Sequence, residues 1–177
     1  MTRGMRLAAV GLVACLASAA PSFAEFHETR LYDCLGPVRQ FADPEVSLAG
    51  SAGSFGFTAD DLRDYAREVF DKVLPGMRVP GLDVDALATD PEKAKQTGLL
   101  QFIVWTVRET YPVIFHIEAR VGSVQCLFDA RTFYKISYLG YVPEIEMRNT
   151  VHASIREVID KVAQKFFAGR KASQGPS

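Results

Sequence analysis

The stretch from Leu99 to Tyr141, LLQFIVWTVRETYPVIFHIEARVGSVQCLFDARTFYKISYLGY, decides the fold, because it reads as three antiparallel strand runs with almost no competing signal. In its middle run Val113, Phe115, Ile117, Ala119 and Val121 alternate with Ile114, His116, Glu118 and Arg120. That period of two puts apolar groups on one face of a strand. Gly122-Ser123 then reads as a glycine-first, two-residue type II′ hairpin turn. With that turn Ala119 faces Cys126, Ile117 faces Phe128 and Phe115 faces Ala130 on the apolar side. On the other side His116 faces Asp129 and Glu118 faces Leu127. Upstream, Leu99 to Arg108 is apolar on both sides and rich in β-branched and aromatic residues, as a central strand covered on both faces should be.

Working outward to the N-terminus, Arg3 and Arg6 precede an apolar run from Leu7 to Ala20, and Ser22-Phe23-Ala24 matches the small-residue pattern of a leader cleavage site. Residues 1–24 are therefore expected to be removed, giving a periplasmic or secreted chain with no membrane span. A rival reading takes Leu12-Val13-Ala14-Cys15 as a lipobox, with Cys15 lipidated and the chain anchored in the outer membrane. The remaining 153 of 177 residues suit one domain. Losing Arg3 and Arg6 leaves 18 basic against 21 acidic residues, a net charge of −3. Nucleic acid calls for a basic surface, so it is not an expected partner. Two cysteines remain, Cys34 and Cys126, and in an oxidising compartment they are expected to form a disulfide. It would tie the N-terminal arm to the sheet and close a loop of about 90 residues.

Residues 25–57 read as an arm, with a short strand between Phe26 and Leu35 and a Gly/Ala/Ser-rich loop from Ala49 to Gly56. The main domain, 58–169, opens on a capping-box pattern, Thr58 with Asp61, inside a hydrophobic staple of Phe57 and Leu62. Leu62, Tyr65, Ala66, Val69, Phe70, Val73 and Leu74 make the apolar stripe of a helix that Pro75-Gly76 ends. Asp90 and Pro91 start a short helix. Asp83, Asp85 and Asp90 lack the glycine and terminal glutamate of a calcium loop and read as a solvated acidic loop. The segment from Val124 reads as one long strand or as two. A final helix from about Glu144 or Asn149 to Ala168 carries the stripe Val151, Ile155, Val158, Ile159, Val162 and Phe166. Residues 170–177 form a disordered tail.

The fold class expected is α+β: an antiparallel sheet of three to five strands with two long amphipathic helices packed on one face, a two-layer sandwich. The other face is less polar than an exposed sheet should be. Phe102, Val104, Leu127 and Phe133 are its candidate binding residues, covered by the arm or forming a contact surface.

Catalytic signatures are missing: no G-x-S-x-G, H-E-x-x-H, G-x-x-x-x-G-K or C-x-x-C occurs in the chain. The one chemical constellation is His116 opposite Asp129 with Glu118 beside them, which suits a general base or a metal ligand set and also suits ordinary cross-strand pairing. Three functions follow. The first is a non-enzymatic accessory or binding module of the bacterial envelope, holding a protein partner or a small apolar ligand, with a homodimer among its forms. The second is a periplasmic hydrolase or metal-dependent enzyme centred on His116 and Asp129. The third is a lipid-anchored structural component attached through Cys15. No resident cofactor or metal is expected.

Overall fold

A computed structural model of the chain describes residues 23–27, 35–107, 112–128 and 134–173. Among these residues six strands form one mixed sheet with five positions across it. They are β1 (Phe23–His27), β2 (Gln40–Phe41), β3 (Glu45–Gly50), β4 (Thr97–Val107), β5 (Val113–Ser123) and β6 (Tyr134–Val142). The order is β1-β6-β5-β4-β2, with β3 following β2 along the same edge of β4. Strands β2 and β3 run parallel to β4, and every other pair is antiparallel. The α+β class holds; the purely antiparallel sheet does not. The parallel edge comes from the supposed arm and loop. In place of a flexible Ala49–Gly56 segment, β3 continues to Gly50 and a 3-10 turn spans Ala52–Phe55. Small residues there serve close packing. Ala52 is fully buried, and a Cβ on Gly50, whose φ is 62°, would lie 2.3 Å from the Thr106 carbonyl oxygen.

The helices are α1 (Ala59–Val73), α2 (Pro91–Gln96), α3 (Val124–Phe128) and α4 (Met147–Ser173). Thr58 caps α1 in a complete capping box: its hydroxyl accepts from the Asp61 N–H at 3.1 Å and its own N–H donates to the Asp61 carboxylate at 2.9 Å. Leu62, Ala66, Val69 and Phe70 of α1 are buried, as are Val151, Ile155, Val158, Ile159, Val162 and Phe166 of α4. They meet Leu100, Phe102, Val104, Phe115, Ile117, Ala119, Ile136 and Tyr138 of the sheet in one continuous core. Asp90 caps α2, accepting from the Lys93 N–H at 3.1 Å. Asp83 likewise accepts from the N–H groups of Asp85 and Ala86, at 3.0 and 3.2 Å, so these acidic residues serve as turn and helix caps.

The register after Gly122 differs from the sequence reading. Strand β5 runs on through Gly122 and Ser123, which pair with Leu99 and Gly98. The described glycines with positive φ are Gly50, Gly56, Gly76 and Gly81, whereas a type II′ corner at Gly122 would require it there. Ser123 starts a helical turn instead, its hydroxyl accepting from the Cys126 N–H at 3.2 Å. Val124 is fully buried in a second small cluster with Ala42, Leu87, Ala94 and Leu99. Burying Val124 there outweighs a hairpin that would keep it on the sheet. The reading of residues 124–139 as one long strand fails for the same reason. The partner of β5 is therefore β6, with Ile117 opposite Tyr138 in place of Phe128. The slip is ten residues, an even number, so the core face keeps its residues while each cross-strand pair changes.

Candidate functional site

The two sheet faces have different fates. The inner face lies under α1 and α4. The outer face carries the remaining residues of each strand, and register sets them in rows. One row crosses Ala49, Trp105, His116 and Leu139; the next crosses Ser47, Ile103, Glu118 and Ser137; the third crosses Glu45, Gln101, Arg120 and Lys135. Beyond the first row lie Val107, Ile114 and Tyr141. At the opposite end Leu99 is covered by the small cluster that α2 and α3 help to form.

This face is polarised along the strands. Its charged end is internally satisfied. Glu118 is only 7% exposed, and its two carboxylate oxygens meet Arg120 Nε at 2.5 Å and Lys135 Nζ at 2.6 Å. Burial pushes the Glu118 pKa up, but hydrogen bonds and charge from Lys135 and Arg120 hold it below the ordinary carboxylate value. Gln101 donates to the Glu45 carboxylate at 2.7 Å alongside. The other end is apolar and open. Trp105 is 39% exposed, Ile114 38%, Leu139 55% and Tyr141 54%, and a groove of about 690 Å³ runs between Trp105, Ile103, His116, Lys135 and Leu139.

The sequence-based site residues fare differently. His116 lies between Trp105 and Leu139 in the register, so its expected position opposite Asp129 is lost; Asp129 falls outside the described residues. Glu118 faces Ile103 and Ser137 instead of Leu127. Phe102 and Val104 are corrected outright: both point inward, 1% and 0% exposed, and belong to the core beneath the helices. Leu127 lies in α3 with only its own backbone described, and Phe133 lies outside the described residues. Cys126 is half-buried in α3, and Cys34 is outside the described residues. The residues that sequence reasoning missed are Ile103, Trp105, Leu139 and Tyr141. Their signal was present: once β4 is known to bury its even positions, the odd positions Ile103, Trp105 and Val107 are left facing away.

Among the described residues no group of three or more His, Cys, Asp or Glu could hold a metal, and no helix is long and apolar enough to cross a membrane. An apolar, partly aromatic groove with a neutralised charged border can bind by surface burial.

No protein-family model and no curated protein matches the chain. Solved structures do. The fold resembles that of PelC from Paraburkholderia phytofirmans. Against a single-substitution variant of the PelC dodecamer the TM-score is 0.50 at 9% identity, covering 78% of this chain and 96% of that one. A second PelC dodecamer gives 0.47 at 8% identity with the same coverage, 78% and 96%. At such identity the likeness to PelC is one of fold.

Proposed function

We propose that this protein is an exported, non-enzymatic module of the bacterial cell envelope that holds a protein partner on the open end of the outer sheet face. The observation that carries this reading is the strip of Trp105, Ile114, Leu139 and Tyr141 on neighbouring strands, all more than a third exposed. Four large apolar groups grouped in that way on a sheet that buries its other face mark a contact surface. A small apolar ligand in the Trp105–Leu139 groove is the competing occupant. Export rests on the leader pattern at residues 1–24, with lipidation of Cys15 as its alternative. Mass spectrometry of the mature N-terminus separates the two: an unmodified Glu25 supports the first, a diacylated Cys15 the second.

The Cys34–Cys126 bridge belongs to the same proposal. Leu35, next to Cys34 in sequence, is buried in the main core, and Cys126 is half-buried at the end of the sheet; both support a bridge that ties the arm to the sheet. A second reading, self-assembly, draws on the resemblance to PelC, which was solved as a dodecamer. It extends the expected homodimer to homo-oligomers in general.

The experiment is a titration with a hydrophobic dye, comparing the wild-type chain with a Leu139→Asp, Tyr141→Ser double variant. Both positions are more than half exposed, so unfolding stability should change by no more than about 0.5 kcal/mol each. Dye binding by the wild type and its loss in the variant support the proposal. Equal dye binding by both chains, or none by either, overturns it.

A further inference from the structure

The edge strand β3 and the adjacent flank of α1 carry a pattern that is complementary to its own copy. Strand β3 pairs with β4 on one side and with no described strand on the other. Its six residues, Glu45–Gly50, are in unbroken register and contain neither lysine nor proline. Exposed edges are usually blunted by such residues or by bulges, because their free N–H and C=O groups template pairing with another chain.

Helix α1 presents two unlike flanks. One is occupied: the Tyr65 ring stacks on His152 of α4, with centroids 4.1 Å apart and planes 13° from parallel. The other flank faces the β3 edge, where Arg63 and Arg67 line a groove of about 440 Å³ with Glu45, Val46, Ser47 and Leu82. Along this flank the α1 charges run Asp60, Arg63, Asp64, Arg67, with pairs Arg63–Asp60 at 2.5 Å and Arg67–Asp64 at 2.9 Å, and Arg67 also meets Asp43 of the same groove at 3.3 Å. Reversed in direction, the order exchanges every sign. A two-fold axis midway along it sets Asp60 against Arg67 of the second copy and Arg63 against Asp64 of the second copy. A two-fold axis perpendicular to the β3 edge sets a second β3 antiparallel to the first.

We propose that two copies of this chain associate through β3 and the Asp60–Arg67 flank of α1 about one two-fold axis, extending the sheet across the pair. The interface is isologous, as closed dimers require, and its affinity comes from main-chain bonding along the edge with the charge ladder fixing register. This deepens the self-assembly reading by naming its surface; it does not depend on what the outer face holds.

Charge-swap mixing tests it, with light scattering after size exclusion as the readout. The wild-type chain is expected at an even number of copies. Arg63→Asp alone and Asp64→Arg alone each place like charges across the axis twice, and each is expected to weaken association about a hundredfold. Mixed in equal amounts, the two variants oppose unlike charges at both contacts and are expected to recover the wild-type mass as a mixed assembly. That recovery also shows that both variants are folded. A wild-type chain that assembles while neither variant weakens it, or a mixture that stays at the single-variant mass, overturns the surface and leaves self-assembly standing. A wild-type chain that remains a monomer at every concentration overturns both.

Discussion

Gly50 separates two physical costs that the structure keeps distinct at other glycines. It ends β3 with φ of 62°, and a Cβ there would lie 2.3 Å from the Thr106 carbonyl oxygen and 3.2 Å from Trp105 Nε1. The same carbonyl accepts from the Ser51 N–H at 3.0 Å and the Ser51 hydroxyl at 3.1 Å. Gly50→Ala therefore carries a left-handed backbone penalty of about 1 to 2 kcal/mol. It also forces two backbones apart, an overpacking cost of about 1 to 3 kcal/mol. The total is roughly 2 to 5 kcal/mol. Gly56, with φ of 72° and nothing within 4 Å of its added Cβ, carries only the first cost. Gly53 has open space and no positive φ, so Gly53→Ala should stay within about 0.5 kcal/mol of wild type. Urea unfolding followed by far-UV circular dichroism ranks the three, with the denaturant slope unchanged if the compactness of both states is unchanged. If Gly50→Ala costs no more than Gly56→Ala, β3 does not approach β4 as described and the parallel edge is wrong.

Phe102→Ala should destabilise by about 3 to 5 kcal/mol in thermal or urea unfolding, as loss of a fully buried aromatic does; a surface-like change would return Phe102 to the outer face. His152 is held below the ordinary value of 6.5 by burial first and by Arg148 and Arg156 next. The unfolded chain thus takes its proton more readily, so this contribution to stability is whole above pH 6.5 and falls as pH drops from 6.5 towards the folded value. His152→Gln should flatten the urea midpoint over that window, and an unchanged slope contradicts the Tyr65 packing. Glu118 shows the depressed carboxylate case: its contribution is present above the ordinary 4.5 and is lost as pH falls through the lower folded value. Glu118→Gln should cost about 1 to 3 kcal/mol near neutrality and lessen acid sensitivity, since Arg120 and Lys135 lose the charge they share.

The helices were legible because their signals are local: the Thr58–Asp61 box and the stripe from Val151 to Phe166 need no distant partner. The faces of β5 were legible too, because alternation in Val113 to Val121 is a property of the strand itself. What the sequence reading mistook depends on tertiary contacts. Gly122-Ser123 has hairpin chemistry, yet Val124 gains a buried place with Leu87 and Leu99, and Ser123 can cap a helical turn equally well. The parity of β4 was ambiguous because Leu100, Phe102 and Val104 alternate with the apolar Ile103, Trp105 and Val107, so hydrophobicity alone could not say which set faced the helices. Register with β5 decides it. The candidate dyad fell with the turn, whereas the apolar excess on the outer face persists on different residues.

Trp105 is the single tryptophan of the chain, and its fluorescence tests most directly whether the outer face is open in the isolated protein. With Trp105 39% exposed, the dilute chain should emit at long wavelength and be quenched readily by acrylamide. Short-wavelength emission that acrylamide barely quenches, in a chain shown to be monomeric, would mean that the protein covers this face itself and would contradict its role as a contact surface.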